Sequence, residues 1–231
     1  MNPSTPLDVA AFLASTDAID SDHPTVVAFA QTHATGATAR EQAVSLYLAV
    51  RDQLRYDPYR IDLSAHGMKA STALQQSRGW CVPKAVVLAA AARAAGIPAR
   101  LGFADVRNHL STQRLRDTMK TDVFAWHGYT ELWLDGAWRK ATPAFNVELC
   151  DKFGLLPLEF DGVHDSLYHP FDRAGQRHME YVAERGSFDD LPLAQIAATF
   201  ADIYPGLLAD TTAAGDFAAD AARETGSKRS A

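Results

Sequence analysis

The stretch Arg78-Gly79-Trp80-Cys81-Val82-Pro83-Lys84-Ala85 decides the fold, because it marks the start of a helix and places a thiol there. Pro83 suits the first helical turn, where its missing N–H would have no intrahelical partner. An alanine-rich run follows and stops at Gly96. Amide groups and the dipole at a helix N-terminus favour negative charge, so this position is expected to lower the pKa of Cys81. The pattern therefore predicts a helix that begins with a nucleophile.

The composition describes an ordinary globular protein. The 231 residues suffice for one domain with a sizeable core, and 47% apolar with 22% charged residues argues against disorder or fibrous structure. A net charge of −6 argues against nucleic-acid binding, which needs a concentrated basic face. The sequence has two cysteines, no secretory signal pattern and no apolar run of membrane-spanning length. A cytoplasmic protein with free thiols and no membrane contact is expected.

A hairpin is predicted around Asp135-Gly136, the strongest short turn signal in the chain. A two-residue turn pairs Trp133 with Trp138, and Tyr129 with Thr142. Because alternate strand residues share a face, His127 and Tyr129 are expected to point the same way, beside Thr142. A strand that packs against the Cys81 helix would bring His127 to the thiol.

A cysteine and a histidine in contact form a nucleophile and its proton carrier. The alternative for Cys81 alone is a small buried hydrophobic residue, the usual role of a free cysteine. Trp80, Trp126 and Tyr129 are candidates for an aromatic substrate wall, and an ordinary core accounts for them equally well.

The chain resembles the transglutaminase-like superfamily of cysteine enzymes over residues 40 to 146. That family's Gly-x-Cys-x-x-x-Ala and Arg-x-x-Gly-Ile-Pro-Ala-Arg motifs match Gly79 to Ala85 and Arg93 to Arg100. Its His-x-Trp/Tyr-x-Glu motif matches His127 to Glu131, followed after a short turn by Trp138, and Tyr56 fits upstream. The resemblance implies an α+β, papain-like fold in which the cysteine helix packs against an antiparallel sheet that carries the histidine. It also implies that Cys81 is the nucleophile and His127 the general base and acid.

One family residue is missing. The aspartate that orients the histidine falls at Thr142, whose hydroxyl can accept an imidazole N–H but cannot stabilise imidazolium by charge. Asn146 is the second candidate, because papain-type enzymes use an amide in this role. Both residues also have a non-catalytic explanation: Thr142 as an ordinary strand residue and Asn146 as a turn residue. The remaining carboxylates that could reach in from loops are Asp122, Asp165 and Asp172.

The implied chemistry is acyl transfer through a Cys81 thioester from a small-molecule or peptide amide. Water as acceptor gives an amidase or peptidase, and an amine gives a transamidase. A catalytically degenerate module that binds a peptide or protein is the first alternative, favoured by the missing aspartate and opposed by the intact Cys–His pair. An arylamine-acetyltransferase-like enzyme is the second, although its Arg-Gly-Gly-x-Cys motif is absent. His164 and His169 lack a second tight ligand pair, so no metal or cofactor is expected. The oligomeric state stays open.

The domain prediction is a single domain over residues 1–231, with its core at 40–146. Residues 1–39 form a helical extension, in which 24–33 is a helix capped by Ser21 or Asp22, and Thr38 to Glu41 is a capping box that opens the next helix. Residues 105–122 are a polar connection. Residues 147–209 are predicted to be loops and a helix that cover the core. Within them the sequence suggests an edge strand at 155–160, a helix at 178–184 and helical spacing from 191 to 208. Whether residues 161–190 form a lid is left open. Residues 210–231 form a weak helix or flexible tail.

Overall fold

The computed structural model describes residues 9–108, 111–168, 171–175, 178–209 and 215–228. Its helices are a 3₁₀ helix at Val9–Leu13, α1 (Pro24–His33), α2 (Ala39–Gln53), α3 (Ala70–Gln76), α4 (Cys81–Ala94), α5 (Gln113–Met119), α6 (Val147–Phe153), α7 (Leu193–Ile203), α8 (Pro205–Ala209) and α9 (Phe217–Lys228). Its strands are β1 (Arg55–Tyr56), β2 (Arg78–Gly79), β3 (Ala99–Asn108), β4 (Val123–Leu134), β5 (Ala137–Ala141) and β6 (Met179–Phe188).

Four strands form an antiparallel sheet in the order β5-β4-β3-β6, and β1 pairs with β2 in parallel beside it. The predicted hairpin is confirmed: Asp135 and Gly136 both have positive φ, and Trp133 lies opposite Trp138. The ladder ends one pair short of Tyr129 and Thr142, because the Thr142 N–H donates to the Ser166 carbonyl instead.

Helix α4 lies at the centre of the molecule, between the sheet and helices α1, α2 and α3. Its residues from Cys81 to Arg93 are all buried, as expected for a helix that is apolar on every side. Lys84 is also buried, and its Nζ donates to the carbonyls of Arg51 (2.8 Å) and Leu54 (2.6 Å) at the end of α2. No helix among the described residues is long and apolar enough to cross a membrane.

Strand β4 packs against α4 more closely than most side chains allow. A Cβ on Gly128 would lie 3.1 Å from the Val82 Cα, so glycine permits the strand to reach the helix. Two residues further along, the Thr130 hydroxyl donates to the Ala85 carbonyl at 2.8 Å. These contacts fix the strand that carries His127 against the turn of helix that carries Cys81.

Three predictions outside this core need correction. Of the predicted helix at 178–184, residues 179–184 belong to strand β6, because this segment pairs with the free edge of β3 and tertiary pairing outweighs its helical composition. Residues 155–160 form no strand, and the predicted polar connection contains the end of β3 and helix α5. The α5 helix is capped by the Thr112 side chain, which accepts the Leu115 N–H.

The two ends of the described chain both pack on the core. Helix α1 has the predicted bounds, but His23 caps it through Nδ1, and the capping box of α2 is confirmed. Where the sequence suggested a weak helix or flexible tail, α9 forms, and its buried Phe217 packs edge-on against Tyr56 and Tyr59. The rest of that segment, residues 210–214 and 229–231, lies outside the described residues.

Candidate active site

Cys81 is the first residue of α4, and its side chain is only 7% exposed. Burial raises the pKa of the thiol to about 11, and the nearby backbone amides of Gly128, Val82 and Cys81 itself partly oppose that rise. The prediction of a lowered pKa is therefore wrong for this closed site. The helix N-terminus stabilises negative charge as expected, but the desolvation of the thiolate is larger.

His127 lines the same cavity as Cys81 and is likewise 7% exposed. Burial lowers the pKa of the imidazole to about 4. At neutral pH the two groups are therefore a thiol and a neutral imidazole, not an ion pair.

A β-bulge immediately before His127 sets the direction of its side chain. Ala104 lies opposite His127 and Val106 opposite Phe124, so Asp105 alone faces two residues of β4. One of these, Trp126, has φ of 59°, a left-handed conformation that is unusual for a bulky residue.

Asp105 holds the bulge in place. Its carboxylate accepts the Trp126 N–H at 3.0 Å and two N–H groups of Arg185 at 2.5 and 2.9 Å. The Arg185 guanidinium also stacks over the Trp126 ring, 4.8 Å from its centroid. The network binds the Trp126 N–H of the irregular backbone next to His127.

The cavity in front of the Cys81–His127 pair is narrow and opens to solvent. Trp80, the neighbour of Cys81 in the chain, lines this cavity. The other lining residues are Tyr56, Pro58, Ile61, Leu115, Met119, Phe124, Ala125, Phe200, Tyr204 and Leu207.

A second cavity lies behind His127 and contains Thr142 and His178. His127 Nε2 and Thr142 Oγ1 are both fully buried, and neither has a hydrogen-bond partner in the described part of the chain. No carboxylate lines this cavity among the described residues. The structure thus brings Thr142 to the histidine without placing an aspartate there.

The other candidates for orienting His127 lie elsewhere. Asn146 lines neither cavity, and its Oδ1 accepts the Tyr56 N–H at 3.3 Å. Asp122 pairs with Arg107, Asp165 accepts the Lys140 N–H, and Asp172 accepts the Ala174 N–H.

Two of the predicted aromatic wall residues do not line the cavity of Cys81. Strand alternation puts Tyr129 beside Lys140, whose Nζ lies 5.3 Å from the ring centroid, while Gly128 and Thr130 face α4. The bulge turns Trp126 toward α7, where its Nε1 donates to Thr199 Oγ1 at 2.9 Å.

Sequence reasoning missed the walls that α5, α7 and α8 provide. Leu115 and Met119 are four residues apart on α5, and Phe200, Tyr204 and Leu207 recur at helical spacing. The helical spacing of these apolar residues is visible in the sequence, but the surface against which they pack is not. The described residues contain no group of three or more His, Cys, Asp or Glu side chains suited to a metal, and His169 lies outside them.

Burial of His127 predicts a pH dependence of stability. The imidazole has an ordinary pKa of 6.5 and a folded pKa of about 4, so between these values the unfolded chain binds more protons. The resulting contribution to the free energy of unfolding, about 3 kcal/mol, is fully present above pH 6.5 and is lost as the pH falls to about 4. Urea unfolding measured from pH 7 to pH 4 should show this loss of unfolding free energy in the wild type and not in His127→Gln. The exposed His66 offers a matched control: His66→Gln should keep the wild-type slope, and an unchanged slope in His127→Gln would contradict the prediction.

Comparison with known proteins agrees with this architecture. The family model of the transglutaminase-like superfamily matches residues 27–143, just over half of the chain. A search of curated proteins gives no significant match. Similar solved structures include a provisionally assigned cysteine protease from Cytophaga hutchinsonii, with 14% identity and a TM-score of 0.47, where 80% of this chain matches 55% of that one. A provisionally assigned protease from Parabacteroides distasonis shares 17% identity with a TM-score of 0.36, over 58% of this chain and 26% of that one.

The chain therefore spans about half of the first of these structures and a quarter of the second. The family match includes helix α4, which begins at Cys81, and strand β4, which carries His127. Together with the antiparallel sheet packed on that helix, it gives the α+β, papain-like fold that the motifs implied. The chain belongs to the transglutaminase-like superfamily.

Proposed function

We propose that the protein is a cysteine-dependent acyl-transfer enzyme with Cys81 as nucleophile and His127 as proton carrier. The observation that supports this best is that the thiol and the imidazole line one cavity, with the thiol on the first residue of helix α4. Cys150 fits the role of a small buried hydrophobic residue: it lies buried in α6, and burial raises its pKa to about 11.

Acylation begins from the neutral pair. As Sγ bonds to the substrate carbonyl carbon, the thiol proton passes to His127 and the carbonyl electron pair moves to oxygen. Backbone N–H groups at the start of α4, including that of Cys81, lie where they can stabilise the oxyanion. When the oxyanion collapses, the C–N bond breaks and His127 returns the proton to the leaving amine, which leaves a Cys81 thioester.

Deacylation uses the same groups in reverse. A water or an amine attacks the thioester carbonyl and gives its proton to His127, the C–S bond breaks, and the imidazole returns the proton to Sγ. Hydrolysis gives a carboxylic acid, and an amine acceptor gives a new amide.

Thr142 is proposed as the residue that orients His127, because both line the rear cavity and both have an unpaired buried polar atom. The hydroxyl can accept the Nε2–H directly after a small shift or through one water, for which the cavity has room. This selects the tautomer whose Nδ1 is free to take a proton.

The alternative is a degenerate module that binds a peptide or protein partner. The neutral pair and the absence of a carboxylate among the described residues around His127 favour it. It predicts that Cys81 carries no acyl group under any condition.

The two functions are separated by incubating the protein with p-nitrophenyl butyrate and locating the adduct by peptide mass spectrometry. The enzyme hypothesis expects a butyryl thioester on Cys81 and release of nitrophenolate. Cys81→Ala should abolish both, whereas Cys150→Ala, a matched change at the other buried thiol, should leave both intact. Equal modification of the two cysteines, or none, would rule out the proposed enzyme. Added butylamine then shows whether the thioester passes to water or to an amine.

A further inference from the structure

We infer that the cavity in front of Cys81 is an acyl-group pocket for an uncharged, apolar side chain, aliphatic or aromatic. This inference rests on the proposed function, since it names the substrate class of that same site. The acyl half of the substrate would enter with its carbonyl at Sγ and its side chain among the apolar walls.

The chemistry of the lining carries this inference. Apart from Cys81 and His127, every described residue that lines the cavity is apolar or aromatic. The Tyr204 hydroxyl is already used, because it accepts the Ala125 N–H at 2.7 Å and donates to the Val123 carbonyl at 2.6 Å. Tyr204 therefore offers the substrate its ring. A charged acyl group would lose its hydration here and find no opposite charge in return.

The pocket is also built as a continuous surface that begins at the nucleophile. Trp80, the neighbour of Cys81, packs at a tilt against Phe200 with 5.6 Å between ring centroids, and Phe200 packs edge-on against Tyr204 at 5.1 Å. Leu207 extends this wall from α8. When an acyl side chain lies along these rings, each further carbon of the chain is buried against them.

Close packing of α8 on α5 holds the opposite walls together. A Cβ on Gly206 would come within 2.9 Å of the Thr118 carbonyl oxygen, so the two helices approach as closely as a glycine allows. Leu115 and Met119 of α5 and Leu207 of α8 all line the cavity. The pocket is a formed apolar slot, which suits discrimination by acyl length and charge.

The test compares p-nitrophenyl acetate, butyrate, hexanoate and hemiglutarate as acyl donors to Cys81. Each rate constant is divided by that for free cysteine, which removes differences in ester reactivity. Full burial of one methylene corresponds to about a fourfold gain, so hexanoate, with four more methylenes, should exceed acetate by about 250-fold. The hemiglutarate, which has similar length but ends in a carboxylate, should react no faster than acetate. A flat series, or a hemiglutarate as fast as hexanoate, would overturn the inference.

Matched lysine substitutions locate the effect. Leu207→Lys puts a cation into the wall and should lower the hexanoate-to-hemiglutarate ratio at least tenfold. Ile203→Lys makes the same change one turn earlier at a position that is 40% exposed and does not line the cavity, and should leave the ratio unchanged. If Leu207→Lys fails to fold, Leu207→Ala should still lower the hexanoate-to-acetate ratio severalfold. Equal effects of the changes at 207 and 203 would place the selectivity elsewhere.

A binding measurement separates this inference from the proposed function. Cys81→Ala, which cannot be acylated, is titrated with hexanamide and with the charged analogue glutaramate, and the Trp80 indole resonance is followed. Binding of hexanamide alone supports the apolar pocket even if no ester acylates the wild type, a result that would remove only the enzymatic proposal. Preferred binding of glutaramate, or binding of neither amide, would contradict the pocket assignment.

Discussion

His127→Ala should lower the rate constant for acylation of Cys81 by p-nitrophenyl butyrate about 10³-fold at pH 7. The reason is the neutral resting pair: with a thiol pKa of about 11, only about one molecule in 10⁴ carries a thiolate at this pH. In the proposed mechanism the wild type avoids this limit, because the imidazole accepts the proton as Sγ attacks, and such assistance contributes about 10² to 10⁴ in rate.

The pH profile distinguishes loss of the base from a general disturbance. Without His127 the reactive species is the free thiolate, so the rate should rise about tenfold per pH unit until the pH approaches the thiol pKa. The wild-type rate should change little near neutral pH and fall only as His127 becomes protonated near pH 4. The exposed His66→Ala serves as control. A threefold or smaller loss in His127→Ala, with a wild-type pH profile, would leave the binding module as the better interpretation.

Much of the core could be predicted because its signals are local. The start of α4 at Cys81, the Asp135-Gly136 turn and the capping box at Thr38 each depend on a few neighbouring residues, whose backbone preferences decide the conformation. The histidine strand and the cysteine helix were recognised for the same reason, and the family motifs supplied their pairing.

What the sequence did not reveal depends on tertiary structure. Strand β6 has a composition typical of a helix, and only the open edge of β3 makes it a strand. The pKa of Cys81 was predicted in the wrong direction because a helix N-terminus is visible in the sequence whereas desolvation is not. The bulge at Trp126 likewise depends on Asp105 and Arg185, which are distant in the chain.

Thr142→Asp should raise the acylation rate about ten- to a hundredfold. The new carboxylate would enter the rear cavity beside His127, whose imidazolium form it would stabilise by charge as well as by a hydrogen bond. The size of this rate increase is judged against the serine-protease triad, where replacing the orienting aspartate by asparagine lowers the rate about 10⁴-fold. A gain smaller than this is expected, because position 142 is only 4% exposed and a buried carboxylate must itself be desolvated.

The charge effect is checked by titrating His127 in Thr142→Asp by NMR, because a carboxylate that contacts the ring must raise its pKa above the wild-type value of about 4. Thr142→Val is the matched variant: it keeps the branched shape and removes only the hydroxyl, so an orienting role predicts about a tenfold loss of rate with a normal fold. If valine and threonine give equal rates while aspartate raises both the pKa and the rate, the hydroxyl does not orient His127. The native enzyme would then work through a histidine aligned by the Trp126 bulge, and Thr142 would have a packing role alone.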